Sequence, residues 1–153
     1  MKLPLLRTAF LAGVAAAIFL AARPPLTALA QSPPPLVAHY YRDITLITPP
    51  TISPQARVLV VAQTKGAKVL YLVGTLAAHT HKDSNEIQYV ISGNGSEYFG
   101  NCRVVIGPGT LLVIPHGMIH SGMTVRKGPL KILAVLTPPG NDHIPASPLP
   151  CTH

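Results

Sequence analysis

Residues 68–99 read K-V-L-Y-L-V-G-T-L-A-A-H-T-H-K-D-S-N-E-I-Q-Y-V-I-S-G-N-G-S-E-Y-F. Three short β-branched and aromatic runs (68–73, 86–92 and 96–99) are cut by Gly74, by the polar stretch Lys82-Asp83-Ser84-Asn85 and by Gly93-Asn94-Gly95. Runs of this length bounded by turn residues are the signature of strands. Outward from this stretch the pattern continues, with R-V-L-V-V-A from Arg57, C-R-V-V-I from Cys102, L-L-V-I from Leu111, M-I-H-S-G-M-T-V from Met118 and L-K-I-L-A-V-L from Leu130. No apolar repeat of helical period extends over ten or more positions between Gln31 and His153. The fold class is therefore all-β, a sandwich or barrel.

The same stretch holds the chemistry. In a chain with seven histidines, His79 and His81 lie one residue apart and Glu86 follows after a turn. Alternate residues of a strand share a face, so both imidazoles reach one point and the carboxylate returns to it. Two imidazoles and a carboxylate suit a first-row divalent metal. Taken alone, an H-x-H pair also fits two exposed strand histidines.

The ends differ in character from this middle. Met1–Ala30 has a basic start, a fourteen-residue apolar run from Ala9 to Ala22 and the small-residue ending Ala28-Leu29-Ala30. That is the layout of a secretory signal peptide, with cleavage expected after Ala30 and the product secreted or periplasmic. The run falls short of the roughly 20 residues of a membrane span, so no stable membrane insertion is expected after cleavage; an uncleaved anchor is the alternative. Prolines then crowd 31–55 and 138–153, which read as an N-terminal arm and a C-terminal tail around a barrel at 56–137. A single domain suits this length.

Charge excludes one class of partner. The formal +7 falls once Lys2, Arg7 and Arg23 are set aside, leaving nine Lys/Arg against five Asp/Glu. Those nine are scattered, no Trp is present, and the aromatics do not interleave with the bases, so no nucleic acid is expected. Two cysteines, Cys102 and Cys151, either pair or stay free.

Gly74-x4-His79-x-His81-x4-Glu86-x6-Gly93 and Gly109-x5-Pro115-x-Gly117-x2-His120-x3-Thr124 resemble the first and second motifs of the cupin superfamily, in order and in spacing. The fifteen residues between Gly93 and Gly109 resemble the compact, single-domain bacterial form. Two departures stand: Gly74 lies one residue closer to His79 than usual, and Thr124 replaces the usual Asn. The resemblance implies a jelly-roll β-barrel with His79, His81, Glu86 and His120 around one divalent transition metal, iron, manganese, copper, nickel or zinc. It also implies a small-molecule ligand or substrate. A homodimer is admissible, with Tyr71, Tyr89 and Tyr98 packing on the opposite face or at a subunit contact. His39, His116, His143 and His153 lie in arms or turns and are given no role.

Counting by twos from the ligands places Val73, Thr75, Ala77, Gln88, Val90, Met118, Gly122 and Thr124 on the inner face. Gln88 and Thr124 would then orient substrate or ligands. No Lys or Arg falls inward by this count, which favours a small, uncharged substrate. Two functions compete: a mononuclear metal-dependent enzyme, dioxygenase-like ahead of isomerase or lyase, and a metal- or ligand-binding module without turnover.

Overall fold

Nine strands run from Thr51 to Pro145 in the computed structural model, which describes residues 38–152. They are β1 (Thr51–Ser53), β2 (Ala56–Gln63), β3 (Lys68–Gly74), β4 (His79–His81), β5 (Asn85–Phe99), β6 (Cys102–Ile106), β7 (Leu111–Ile114), β8 (His120–Thr137) and β9 (His143–Pro145). All pair antiparallel and curl into a jelly-roll β-barrel. The expected leader, 1–30, and its cleavage point at Ala30 lie outside the described residues, as does His153. Among the described residues no helix is long and apolar enough to cross a membrane.

β8 organises the sheet, pairing with β3, β4 and β5. Two pairs of runs that read as separate strands are continuous as β5 and β8, whose pairing shifts register between Val90 and Gly95 rather than ending there. Gly93 takes φ +85 opposite the Pro129–Leu130 backbone, where a Cβ would lie 2.4 Å from Pro129 O. Only glycine allows that approach. The inner face buries Ala56, Leu72, Val90, Ile106, Met123, Leu130 and Ile132 as one cluster. At roughly 25 cal/mol per Å² of apolar surface removed from water, this cluster is the main force closing the barrel.

Both proline-rich ends contribute to the sheet, beyond the 56–137 barrel read from sequence. β1 pairs with β2, and Lys131 on the outer face of β8 donates to Thr45 O at 2.7 Å, holding the N-terminal segment against the barrel. At the other end β9 pairs with β4, residue for residue, from His79↔Pro145 to His81↔His143. The Cys102–Cys151 disulfide, with Cα atoms 4.8 Å apart, fixes the tail beyond it. Isolated prolines read as a loose tail because they break periodicity, yet a three-residue strand ending in Pro145 needs few backbone donors. Tyr71, placed by sequence on an outer or contact face, is fully buried, whereas Tyr89 is exposed.

Candidate metal centre

The four ligand candidates come from three strands that meet at β8. His79 and His81 bracket β4, Glu86 is the second residue of β5 and His120 opens β8, where it stands directly opposite His79. All four are buried, and one ligand atom from each lies within 4.8 Å of the others.

Hydrogen bonds set which nitrogen faces the centre. His79 Nδ1–H donates to Ala77 O at 2.9 Å and His120 Nδ1–H to Met118 O at 3.0 Å. In its neutral form each ring therefore keeps its Nε2 lone pair for the interior, the arrangement of a metal-ligating histidine. Glu86 Oε2 lies 2.9 Å from His81 Nε2 and 3.1 Å from His120 Nε2, while Oε1 accepts from Gln88 Nε2 at 2.9 Å. A lone pair on His120 Nε2 facing a carboxylate oxygen at that distance is repulsive unless a cation or a proton lies between them. The residues present thus fit a divalent ion.

The electrostatics agree. Burial, reinforced by the charge of His120, lowers the His79 pKa to about 3, so this ring is neutral and able to ligate. For Glu86 burial works upward, but the contacts with His120 and His81 outweigh it and hold the carboxyl well below the usual range. His81 is opposed by burial and raised on balance by Glu86 and by Asp142, whose Oδ1 lies 3.3 Å from His81 Nδ1. Asp142 itself accepts from Asp83 N, Ser84 N and Ser84 Oγ, so the tail clamps the turn between β4 and β5.

Of the two residues expected to orient substrate, Gln88 is buried beside Glu86 and Thr124 is not in the site. Thr124 is exposed, with Oγ1 2.8 Å from Ser96 Oγ. The count by twos fails there because Ser121 and Gly122 take φ +64 and +57. These two left-handed residues reverse the alternation, turning Met123 in and Thr124 out. Val73 fails for a similar reason: β3 ends at Gly74, the non-strand segment to Ala78 resets the face, and Leu70 and Leu72 point inward instead. Thr75, Ala77 and Gly122 line a second hollow rather than the metal-side cavity.

Two side chains given no part in the site by sequence reasoning stand beside it. His143, on β9, stacks on His79 with ring centroids 3.8 Å apart and lines the cavity that opens from the ligands. Lys68, expected to stay outside, is buried at 7% exposure on the wall of an adjoining hollow that shares His81, His143, Leu70 and Leu136 with that cavity. Its position was legible in one respect: as the first residue of the run K-V-L-Y-L-V it shares parity with Leu70 and Leu72. Arg57 and Arg103 remain at the surface, the latter over the Tyr98 ring at 4.5 Å.

Residues 69–136 match the family described as a cupin domain. No curated protein matches the chain. Among solved structures the chain is similar to KdgF from Halomonas sp., at 17% identity and TM-score 0.57, over 65% of this chain and 95% of that one. It is similar also to an uncharacterized conserved protein with a double-stranded beta-helix domain from Klebsiella pneumoniae, at 21% and 0.59, over 69% and 94%. A third is the polyketide cyclase RemF from Streptomyces resistomycificus, at 15% and 0.53, over 61% and 72%. The domain match covers the central part of the chain, and the solved structures share its fold.

Proposed function

We propose that this cupin-fold chain is an exported, mononuclear metal-dependent enzyme for a small organic substrate, with oxygen chemistry ahead of isomerisation or elimination. The observation that carries the reading is the contact of His120 Nε2 and His81 Nε2 with one oxygen of Glu86, which a cation would relieve. A divalent ion held by His79, His81, Glu86 and His120 would supply Lewis-acid polarisation or a redox centre. That one of the similar folds is named a polyketide cyclase is consistent with catalysis in this architecture.

The chain's own residues then divide the work. Gln88 holds Glu86 Oε1, leaving Oε2 for the ion. Leu70, Leu72 and Leu136 line the cavity and exclude water, which strengthens every charge interaction inside it. Desolvation first of all lowers the pKa of His143, which offers a ring nitrogen as proton acceptor at the cavity mouth. Export rests on the sequence of Met1–Ala30 alone.

Metal analysis of protein purified from its native compartment is the first test. Apo-protein reloaded with iron(II), manganese(II), copper(II) or zinc(II) is then followed for oxygen uptake with small phenols, diketones and organic acids. Retention of ligands without turnover for any metal replaces the enzyme reading with that of a binding module.

A further inference from the structure

A hollow that adjoins the metal-side cavity, sharing His81, His143, Leu70 and Leu136 with it, has a volume of about 350 Å³, within the range that holds a small organic molecule. Its walls are mainly aliphatic, including Val58, Leu70 and Leu136, and its polar contributors include His81, His143 and Lys68. Lys68 is the anomaly. Lysine is among the residues least often buried without a carboxylate, because a desolvated ammonium needs a counter-charge. Among the described residues every ion pair involves a histidine, and none involves Lys68. Its Nζ donates to two neutral acceptors on the tail, Gly140 O and Asn141 Oδ1, the latter at 2.8 Å. An ammonium has three donors, so one remains.

Register relates this ammonium to the metal ligands. Lys68 pairs with Leu136, and Leu136 pairs with Glu86, so Lys68 and Glu86 lie in one row across β3, β8 and β5. Residues opposite one another on neighbouring strands point to the same face, and two strand spacings separate their Cα atoms by about 10 Å. Both side chains enter the barrel from that row, with Leu136 between them. The charges at the two ends agree in sign. Three neutral imidazoles and one carboxylate leave a bound divalent ion with a net single positive charge, and Lys68 adds another. Asp142 subtracts behind His81, but three donors of the 83–84 turn already hold its carboxylate.

We propose that Lys68 is the anion anchor of this cavity, binding the carboxylate of a small organic acid whose apolar body lies along Val58, Leu70 and Leu136 and whose other end faces the metal ligands. The proposal rests on the enzyme reading for what happens at that other end, and it replaces the uncharged substrate expected from strand parity. A charge-assisted hydrogen bond in an apolar cavity discriminates an acid from its amide, because the amide leaves the ammonium uncompensated.

The test is calorimetric binding to the full, disulfide-intact protein, with metal content determined on the same sample. The probes are benzoate with benzamide and hexanoate with hexanamide. Wild-type protein is expected to favour each acid over its amide by at least about tenfold. Lys68→Met should bring the ratio to about one without changing affinity for the amides, and Lys68→Gln, which keeps a donor for the tail but no charge, should do the same. Asn141→Ala removes a tail acceptor and keeps the ammonium, so the preference should persist. Wild-type protein that binds acid and amide alike, or binds neither, overturns the proposal. So does an Asn141→Ala variant that loses the preference as fully as Lys68→Met, since Lys68 would then act only by holding the tail. A sample that holds no metal but keeps its acid preference refutes the enzyme reading and supports the anchor; a metal-loaded sample without the preference does the reverse.

Discussion

Glu97→Gln should make the protein more stable, and by an amount that grows with pH. Glu97 lies on β5 opposite Val104, is 0% exposed, and takes part in no ion pair among the described residues. Burial first, and the charge of Glu86 second, push its pKa up from 4.5 to about 8, with the Ser121 backbone N–H and Arg103 offsetting only part. Below pH 4.5 the group is protonated in folded and unfolded chains alike and costs nothing extra. Between pH 4.5 and about 8 the unfolded chain releases the proton and the folded one keeps it, so stability falls as pH rises. At about 1.4 kcal/mol per pKa unit, the full loss above pH 8 is on the order of 5 kcal/mol. The amide cannot ionise and escapes this loss. Urea unfolding of both proteins, disulfide intact and with chelator present, measures the difference from about pH 4.5 to about pH 9. Curves that remain parallel across that range would show that Glu97 is ionised inside the fold, and the reasoning would be wrong. A neutral Glu97 also leaves Glu86 as the barrel carboxylate whose charge an ion meets.

Four further outcomes are expected. His81→Ala and His120→Ala should each lose most of the bound metal whereas His116→Ala, an exposed turn residue, should not; elemental analysis decides. Affinity for the metal should rise with pH through the His81 titration, which Glu86 and Asp142 place above the ordinary histidine value despite burial, because the proton competes for the same ring. Cys151→Ser opens a loop closed across a separation of 49 residues and should cost about 4 kcal/mol of stability by loop entropy, read as a lower urea midpoint. N-terminal sequencing of exported protein should begin at Gln31; the full chain recovered from membranes would favour an anchor instead.

What sequence made legible follows from how each residue is specified. The ligands lie within short, turn-bounded runs where spacing carries the geometry, so His79, His81 and Glu86 could be placed together from alternation, and His120 from its motif. Alternation misled wherever the chain leaves the regular strand between the ligand and the residue counted. Ser121 and Gly122 reversed it ahead of Thr124, and the segment after Gly74 reset it ahead of Val73. Lys68 escaped notice because its inward position is fixed by Leu136 and Glu86, far away in sequence. His143 escaped because nothing in a proline-rich segment announces that it will pair with β4.

The placing of that segment at the end of the chain has a bearing on the order of assembly. Every proposed ligand lies between residues 79 and 120, the outer wall that carries His143 follows at β9, and Cys151 comes later still. A polypeptide that folds as it emerges from its N-terminus therefore has these four side chains available before their cover exists. In that order the last dozen residues close over the candidate site, and pairing of the two thiols is the last, covalent step.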